Sequence, residues 1–201
     1  MKDKILVIAC GAIAHELVHI KKLNHWDHME FQCLPPALHN SPDKIPEAVR
    51  AKLEAQQSNF KKTFIAYADC GTGGALDKVL EEYDVQRLPG AHCYEFFAGS
   101  EQFKTIAEAE PGSFYLTDFL VRHFERLVIK GLGIDRLPEL APIYFRNYKR
   151  IVYLAQRESE ELVTLARKHA EYLNLDFTYH LSGYQPLSGT LKSALEPENT
   201  I

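Results

Sequence analysis

The stretch Lys4–Cys10, KILVIAC, decides the fold. It is a short run of apolar, mostly branched residues that ends in a cysteine and is followed at once by Gly11. Such a run is typical of a strand that is buried on both faces, as in parallel sheets covered by helices. Because the carboxyl ends of parallel strands form the ligand-binding edge of such a sheet, we expect Cys10 to lie at that edge.

The alternation of short apolar runs with longer amphipathic ones recurs along the chain. The other predicted strands are Met29–Leu34, Thr63–Asp69, Val85–Leu88, Arg150–Gln156 and Phe177–Leu181. The predicted helices are Ala12–Leu23, Ile45–Gln57, Gly74–Tyr83, Glu95–Glu108, Thr117–Lys130 and Glu158–Leu173. Strand–helix–strand repetition predicts an α/β fold with a doubly wound, mostly parallel, Rossmann-like sheet.

The organisation predicted from this pattern is a single α/β domain over residues 1–201. Residues 111–146 are rich in proline, glycine and aromatic residues and interrupt the repeat. We expect them to form a helical insertion or cap over the carboxyl edge of the strands. The polar tail Glu196–Ile201 is expected to fray.

Composition narrows the classes of function. A formal net charge of −4 argues against a nucleic-acid binder, which usually carries a basic face. No apolar run is long enough to span a membrane, and residues 5–9 are too short for the core of a signal peptide. These features predict a cytoplasmic protein with reduced thiols, so metal binding or reactivity is a better use of its four cysteines than disulfides. The aromatic content leaves room for a homo-oligomer interface.

Metal-ligating side chains follow four of the predicted strands. Since the strand ends share one edge, these side chains are expected to meet there. A thiol at the start of a helix, as at Cys10, also favours the thiolate form. The candidate ligands are Cys10, His39, Cys70, His92 and Cys93. Cys33 also lies at a strand end, but its place in the strand pattern predicts a core position.

A glycine-rich loop follows the third predicted strand. Its residues Gly71, Thr72, Gly73 and Gly74 precede a helix, a pattern that lets backbone amides hold an anion. The spacing matches neither a P-loop nor a dinucleotide fingerprint. Asp69 and Glu95 flank the cysteines and are the candidate catalytic carboxylates.

A zincin-like string, H-E-x-x-H, occupies His15–His19 on the first predicted helix. We do not expect it to bind metal, because this helix follows a buried strand and packs on the sheet, which leaves its histidines on solvated surface. Three thiolates and a histidine or carboxylate suit tetrahedral zinc, and three cysteines with an open position equally suit an iron–sulfur cluster. A thiolate nucleophile without metal, with His92 as its base, is a third alternative.

The chain resembles a family catalogued as domain of unknown function 1638. The resemblance rests on segments CGAIAHEL, LPPALHN, DCGTGGALD, HCYEFFAG and FYLTDFLVRHFERLV, and spans nearly the whole chain. The motif positions are Cys10, His39, Cys70, His92, Cys93 and Glu95. Genes of this family often stand beside those of corrinoid-dependent methyltransferases. The resemblance therefore implies a role in methyl-transfer or one-carbon metabolism.

The hypothesis from the sequence is a cytosolic metal-dependent enzyme, with zinc or an iron–sulfur cluster, that acts on a small molecule. One alternative is a non-catalytic protein that binds a metal or corrinoid and serves a methyltransferase system. Another is a zinc lyase similar to β-carbonic anhydrases, which build a Cys/His zinc site on a parallel sheet. The Cys-x-Asp-x-Arg segment of those enzymes is absent here, since Cys10 is followed by Gly-Ala-Ile-Ala.

Overall fold

The computed structural model describes residues 3–195, which group into two compact units. The first unit holds the residues up to Cys93 together with those from Ser188 onward. The second unit is Tyr94–Leu187. The tail Glu196–Ile201, for which fraying was predicted, lies outside the described residues.

The first unit alternates strands and helices from its start. Its main elements are β1 (Ile5–Cys10), α1 (Ala14–Leu23), β2 (Met29–Leu34), α2 (Ile45–Gln56), β3 (Lys62–Ala66), α3 (Ala75–Glu82) and β4 (Gln86–Arg87). Short 3₁₀ turns cover Gly11–Ile13, Pro36–Asn40, Pro42–Lys44 and Gln57–Asn59.

All strand pairs in the first unit are parallel, and the strand order is β2-β1-β3-β4. β1 is central: Cys10 pairs with Leu34 of β2, and Ala9 pairs with Ala66 of β3. Leu6, Val7, Ile8 and Ala9 are fully buried, as the KILVIAC pattern predicts. The three longer strands therefore end level with one another at the same edge of the sheet.

The second unit contains a second parallel sheet, of order β5-β6-β7. Its elements are α4 (Tyr94–Ala98), α5 (Ser100–Ala109), β5 (Ser113–Thr117), α6 (Asp118–Phe124), α7 (Leu140–Phe145), β6 (Arg150–Ala155), α8 (Glu160–Leu173) and β7 (Asp176–Leu181). A π-helical turn, Glu125–Ile129, continues α6, and α9 (Gln185–Leu195) is the last described helix. Thr117 caps α6, since its hydroxyl accepts a hydrogen bond from the Leu120 amide.

The predicted fold class is confirmed, since the protein is α/β with parallel sheets and a Rossmann-like alternation of strands and helices. The segment 111–146 contains α6 and α7, but it also contains the strand β5, which the helical-insertion prediction missed. β5 pairs with β6 throughout its length. Whether the two units form a single domain, with this segment as a cap, stays a prediction.

Among residues 3–195, no helix combines the length and the apolar character that crossing a lipid bilayer requires.

Close packing at the end of β1 makes Gly11 sensitive to substitution. A Cβ atom on Gly11 would lie 2.9 Å from the Leu34 carbonyl oxygen and 3.0 Å from Pro36 Cδ. Gly11→Ala is expected to lower the free energy of unfolding by about 1–3 kcal/mol, because backbone has to move. Urea unfolding measures this, and a variant as stable as the wild type would contradict the packing.

Gly189→Ala is the matched control for this substitution. Gly189 lies in α9, and an added Cβ meets nothing within 4 Å. Alanine in a helix is favoured over glycine, so the control is expected to gain up to about 1 kcal/mol.

Candidate metal centre

Four cysteine and histidine side chains come together at the carboxyl edge of the first sheet. Cys10 is the last residue of β1, and His39 lies in the 3₁₀ turn that follows β2. Cys70 and Cys93 lie in the loops that follow β3 and β4. These four residues are called the thiol cluster below.

Short distances link the members of the thiol cluster. The sulfurs of Cys70 and Cys93 are 2.9 Å apart, and the Cys10 sulfur lies 3.5 Å from Nδ1 of His39. One ligand atom each from His39, Cys70 and Cys93 all lie within 4.8 Å of one another. Cys10 is buried, whereas Cys70 and Cys93 are half-buried and His39 is exposed. The cluster therefore reaches from the end of the core strand to the surface.

Backbone hydrogen bonds hold the Cys70 loop against the Cys93 loop. The Cys70 amide donates to the Ala91 carbonyl at 2.9 Å, and the Asp69 amide donates to the Gly90 carbonyl at 3.1 Å. Cys70 itself has a φ of 51°, in the left-handed region that non-glycine residues seldom occupy. Such a conformation costs about 1–3 kcal/mol and is found where the surroundings impose it, often at functional sites.

The Asp69 carboxylate fixes the glycine-rich loop from inside. It accepts hydrogen bonds from the Thr72 hydroxyl at 2.7 Å, the Gly74 amide at 2.8 Å and the Gly73 amide at 3.1 Å. The Gly74 amide contributes most to lowering the Asp69 pKa to about 2; burial is the next largest effect and opposes it, and hydrogen bonds from Thr72 and Gly73 add to the lowering.

That arrangement corrects one prediction about this loop and leaves another untested. The amides of Gly73 and Gly74 and the hydroxyl of Thr72 already bind the chain's own carboxylate, so the loop 71–74 is not an open anion site. Asp69 is ionised at neutral pH and positions the loop through these donors, and its predicted catalytic role stays a prediction.

The Cys10 sulfur is positioned by the turn that follows β1. It accepts a hydrogen bond from the Ala12 amide at 3.3 Å and so caps the 3₁₀ turn Gly11–Ile13. The close approach of Gly11 to Leu34 holds this turn against the end of β2.

Cys70 and Cys93 differ in protonation because they share one proton. A hydrogen bond from the Cys93 thiol lowers the pKa of Cys70 to about 5; burial opposes this, and the hydrogen bond and charge of His39 support it. The same bond, followed by burial, raises the pKa of Cys93 well above its usual value. Cys70 is therefore the thiolate of the pair, and Cys93 is its thiol donor.

His39 is the cation of the cluster. Burial lowers its pKa, but hydrogen bonds to Cys10 and Cys70 and the charges of these sulfurs outweigh burial and raise the pKa to about 10. Without a bound metal, His39 is thus an imidazolium next to the Cys70 thiolate. A metal cation in the cluster would take over the role of this proton, since binding needs a neutral imidazole.

Two other predicted site residues lie outside the thiol cluster. His92 is exposed and is not part of the group of described residues whose ligand atoms converge. Glu95 lies in α4, which belongs to the second unit, so a catalytic role for it stays a prediction.

Cys33 is exposed, so its predicted core position is wrong. The reason is that, within residues 3–195, β2 lies at the edge of the sheet and pairs with β1 alone. The zincin-like string on α1 agrees with the expectation of solvated histidines: His15 and His19 are exposed, and Glu16 is buried.

Tyr67 is a site residue that the sequence analysis missed. It follows β3, is fully buried, and stacks on the His39 ring with centroids 6.3 Å apart and planes 17° apart. The available signal was a phenol in the otherwise apolar segment FIAYA, next to Asp69 and Cys70.

A family model described as "Protein of unknown function (DUF1638)" matches residues 33–191. The chain belongs to this family, as its motifs predicted. No curated protein and no solved structure matches the chain.

An arginine fork supports the loop that carries Cys93. Arg87 binds Asp77 of α3 through both ends of its guanidinium, at 2.6 Å and 2.8 Å. The same side chain donates to the carbonyl oxygens of Leu88 and Gly90 at 2.8 Å and 3.3 Å. Asp77 thereby helps to fix the start of the loop.

Asp77→Asn is expected to lower the free energy of unfolding by about 1 kcal/mol at pH 7, the upper range for a partly exposed pair. The hydrogen bond from Arg87 holds the Asp77 pKa below its usual value of 3.8, against burial. The contribution of the Asp77–Arg87 pair to the free energy of unfolding is therefore complete above pH 3.8 and is lost as the pH falls through the lowered pKa of Asp77. Urea unfolding of both proteins at pH 7 and below pH about 4 measures the gap.

Asp27→Asn, at an exposed carboxyl, is the control and is expected to change stability little at either pH. A gap for Asp77→Asn that stays constant on acidification would show that Asp77 acts through something other than its charge.

Proposed function

We propose that the protein is a metal-dependent enzyme of the cytoplasm, with a single zinc ion held by the thiol cluster, that acts on a small molecule. The observation that carries the proposal is the convergence of His39, Cys70 and Cys93, whose ligand atoms lie within 4.8 Å of one another. Cys10, 3.5 Å from the His39 ring, is the fourth candidate ligand. Thiolates and imidazole are the ligands that zinc prefers.

One distance in the cluster suits a tetrahedral ion as it stands, and the other would need two sulfurs to move apart. On such a zinc ion, a sulfur and a nitrogen lie about 3.6 Å apart and two sulfurs about 3.8 Å apart. The observed Cys10–His39 distance is 3.5 Å, and the Cys70–Cys93 distance is 2.9 Å. Zinc would replace the shared proton between Cys70 and Cys93 and part their sulfurs by about 1 Å.

A single ion fits this site better than an iron–sulfur cluster. A cluster of several iron atoms needs cysteines spread around its own volume and is held mainly by thiolates. Here the ligand atoms are crowded, and an imidazole lies among them.

The donor set suggests the chemistry. Neutral His39 with the thiolates of Cys70 and Cys93 would offset the charge of the zinc ion, which leaves an electron-rich metal centre. Cys10 would hold the fourth position, and the metal would supply a Lewis acid that lowers the pKa of a substrate thiol, with the displaced Cys10 sulfur as acceptor of the substrate's proton. A metal-bound thiolate is a nucleophile, so transfer of a methyl or similar group to a small thiol is the proposed reaction class. A corrinoid methyltransferase system would be a fitting partner.

A second candidate function, a thiolate nucleophile without metal, is favoured by Cys70. This residue sits on a sharp turn after β3 with a φ of 51°, and its pKa is lowered to about 5 by the Cys93 hydrogen bond, against burial, with His39 adding to it. A strained turn after a strand and a lowered pKa are features of nucleophilic residues. His39 would then replace His92 as the partner base or acid.

Cys70→Ser is expected to abolish stoichiometric zinc. Loss of a ligand should weaken zinc binding by more than about 100-fold, since substituting a residue that merely hydrogen-bonds to a ligand already lowers metal affinity about 10–100-fold. Mass-spectrometric metal analysis of protein purified without oxygen measures the zinc content, and circular dichroism shows that the fold is intact.

Cys33→Ser is the matched control, because Cys33 is exposed on β2 and is not among the described residues whose ligand atoms converge. It is expected to retain zinc. Full zinc occupancy in Cys70→Ser would overturn the proposal. A metal-free wild type whose Cys70 is rapidly alkylated at pH 6 would favour the nucleophile instead.

A further inference from the structure

The Tyr67 hydroxyl is a buried polar group without a satisfied hydrogen bond. The residue is 0% exposed, and among the described residues no partner meets hydrogen-bond geometry with its hydroxyl. Buried polar side-chain atoms nearly always have a partner, so an orphaned hydroxyl calls for a ligand that is not part of the chain.

The position of Tyr67 identifies where that ligand would sit. The residue lies between the end of β3 and the Cys70 loop, and its ring is stacked on His39. Burial raises its pKa far above the usual range; the charge of Cys10 and the approach of the hydroxyl to the Cys10 sulfur come next, and the charges of Cys93 and Cys70 add to this. The hydroxyl therefore lies on the Cys10 side of the thiol cluster and stays protonated.

The sulfurs of Cys70 and Cys10 already accept hydrogen bonds from other donors. Cys70 accepts from Cys93, and Cys10 accepts from the Ala12 amide and contacts His39. Elsewhere the fold satisfies a buried phenol when it can: Tyr153, also 0% exposed, donates to the Asp118 carboxylate at 2.8 Å. Of these two buried tyrosines, Tyr67 is thus the one whose hydroxyl lacks a partner that meets hydrogen-bond geometry.

We infer that the Tyr67 hydroxyl donates a hydrogen bond to the external ligand that replaces Cys10 on the metal, and so selects ligands that carry a lone pair on the metal-bound atom or next to it. The inference rests on the proposed function and adds a substrate-contacting residue to it. The ligand class is an anion or a thiolate, which can accept this bond. A neutral apolar group at the same position would leave the hydroxyl unsatisfied.

The test uses the full-length protein loaded with Co²⁺ in place of zinc, with azide as the probe. Azide binding is followed by the change in the visible Co²⁺ spectrum for the wild type, Tyr67→Phe and Tyr153→Phe. Tyr67→Phe is expected to weaken azide binding about 10-fold, as the loss of one hydrogen bond to a charged acceptor predicts. The Co²⁺ content and spectrum without azide are expected to stay unchanged.

Tyr153→Phe is the matched control, a buried tyrosine of the second unit that loses its hydroxyl. It is expected to bind azide as the wild type does. Thermal unfolding of the metal-free proteins adds a readout that does not depend on the probe. Tyr153→Phe should lower the Tm, because it removes a partner of buried Asp118, whereas Tyr67→Phe should not, because its hydroxyl has no partner to lose.

Each contrary outcome has a distinct meaning. Three outcomes would overturn the role of Tyr67 and leave the metal site standing. The first is equal azide affinity for the wild type and Tyr67→Phe, and the second is no azide binding by the Co²⁺ wild type. The third is a Tm loss in Tyr67→Phe as large as that in Tyr153→Phe. Failure of the wild type to take up Co²⁺ or zinc would overturn the proposed function and, with it, the role of Tyr67.

Discussion

Parallel pairing of β1 with β2 and β3 is the constraint on which the site depends. The register that pairs Cys10 with Leu34 and Ala9 with Ala66 makes three strands end together. The chain must then leave the sheet at one edge, and each exit carries a cysteine or a histidine toward the others. Antiparallel pairing would have sent alternate exits to opposite ends of the sheet. The thiol cluster is thus a consequence of topology, although its members are far apart in sequence.

Electrostatics inside the cluster explains how such a crowded site exists in the metal-free protein. A proton shared by Cys70 and Cys93 and the charge of His39 hold the sulfurs together. Asp69 stiffens the loop next to Cys70, since its carboxylate accepts hydrogen bonds from three donors of that loop. The metal-free nucleophile and the metal site depend on the same residues, since a thiolate next to a cation can act as a nucleophile or as a metal ligand. The two functions differ in whether a metal ion replaces the proton shared by Cys70 and Cys93 and the proton on His39.

The sequence predicted the fold class and most elements because the buried strands carry strong apolar, β-branched patterns. β5 was not predicted from the sequence, because SFYLT is short and lies in a segment rich in proline, glycine and aromatic residues. Cys33 was misplaced because strand alternation does not show that β2 is an edge strand. His39, Cys70 and Cys93 were found among the candidates, since their positions follow from strand ends alone.

The remaining features of the site depend on side-chain contacts that no spacing rule gives. That His39, and not His92, joins the sulfurs is decided by how the 3₁₀ turn after β2 folds back. That Asp69 fills its own glycine loop depends on the left-handed conformations of Gly71, Gly73 and Gly74. The orphaned hydroxyl of Tyr67 is visible only once its surroundings are in place.

The central claim, a mononuclear metal centre built by Cys10, His39, Cys70 and Cys93, is tested most directly by X-ray absorption at the metal edge. The measurement is made on protein purified without oxygen, with the bound metal identified from its edge. The account predicts sulfur neighbours at about 2.3 Å and one nitrogen at about 2.0–2.1 Å, with no second metal nearby. A shell of oxygen and nitrogen without sulfur, a metal–metal distance, or the absence of any bound metal would contradict it.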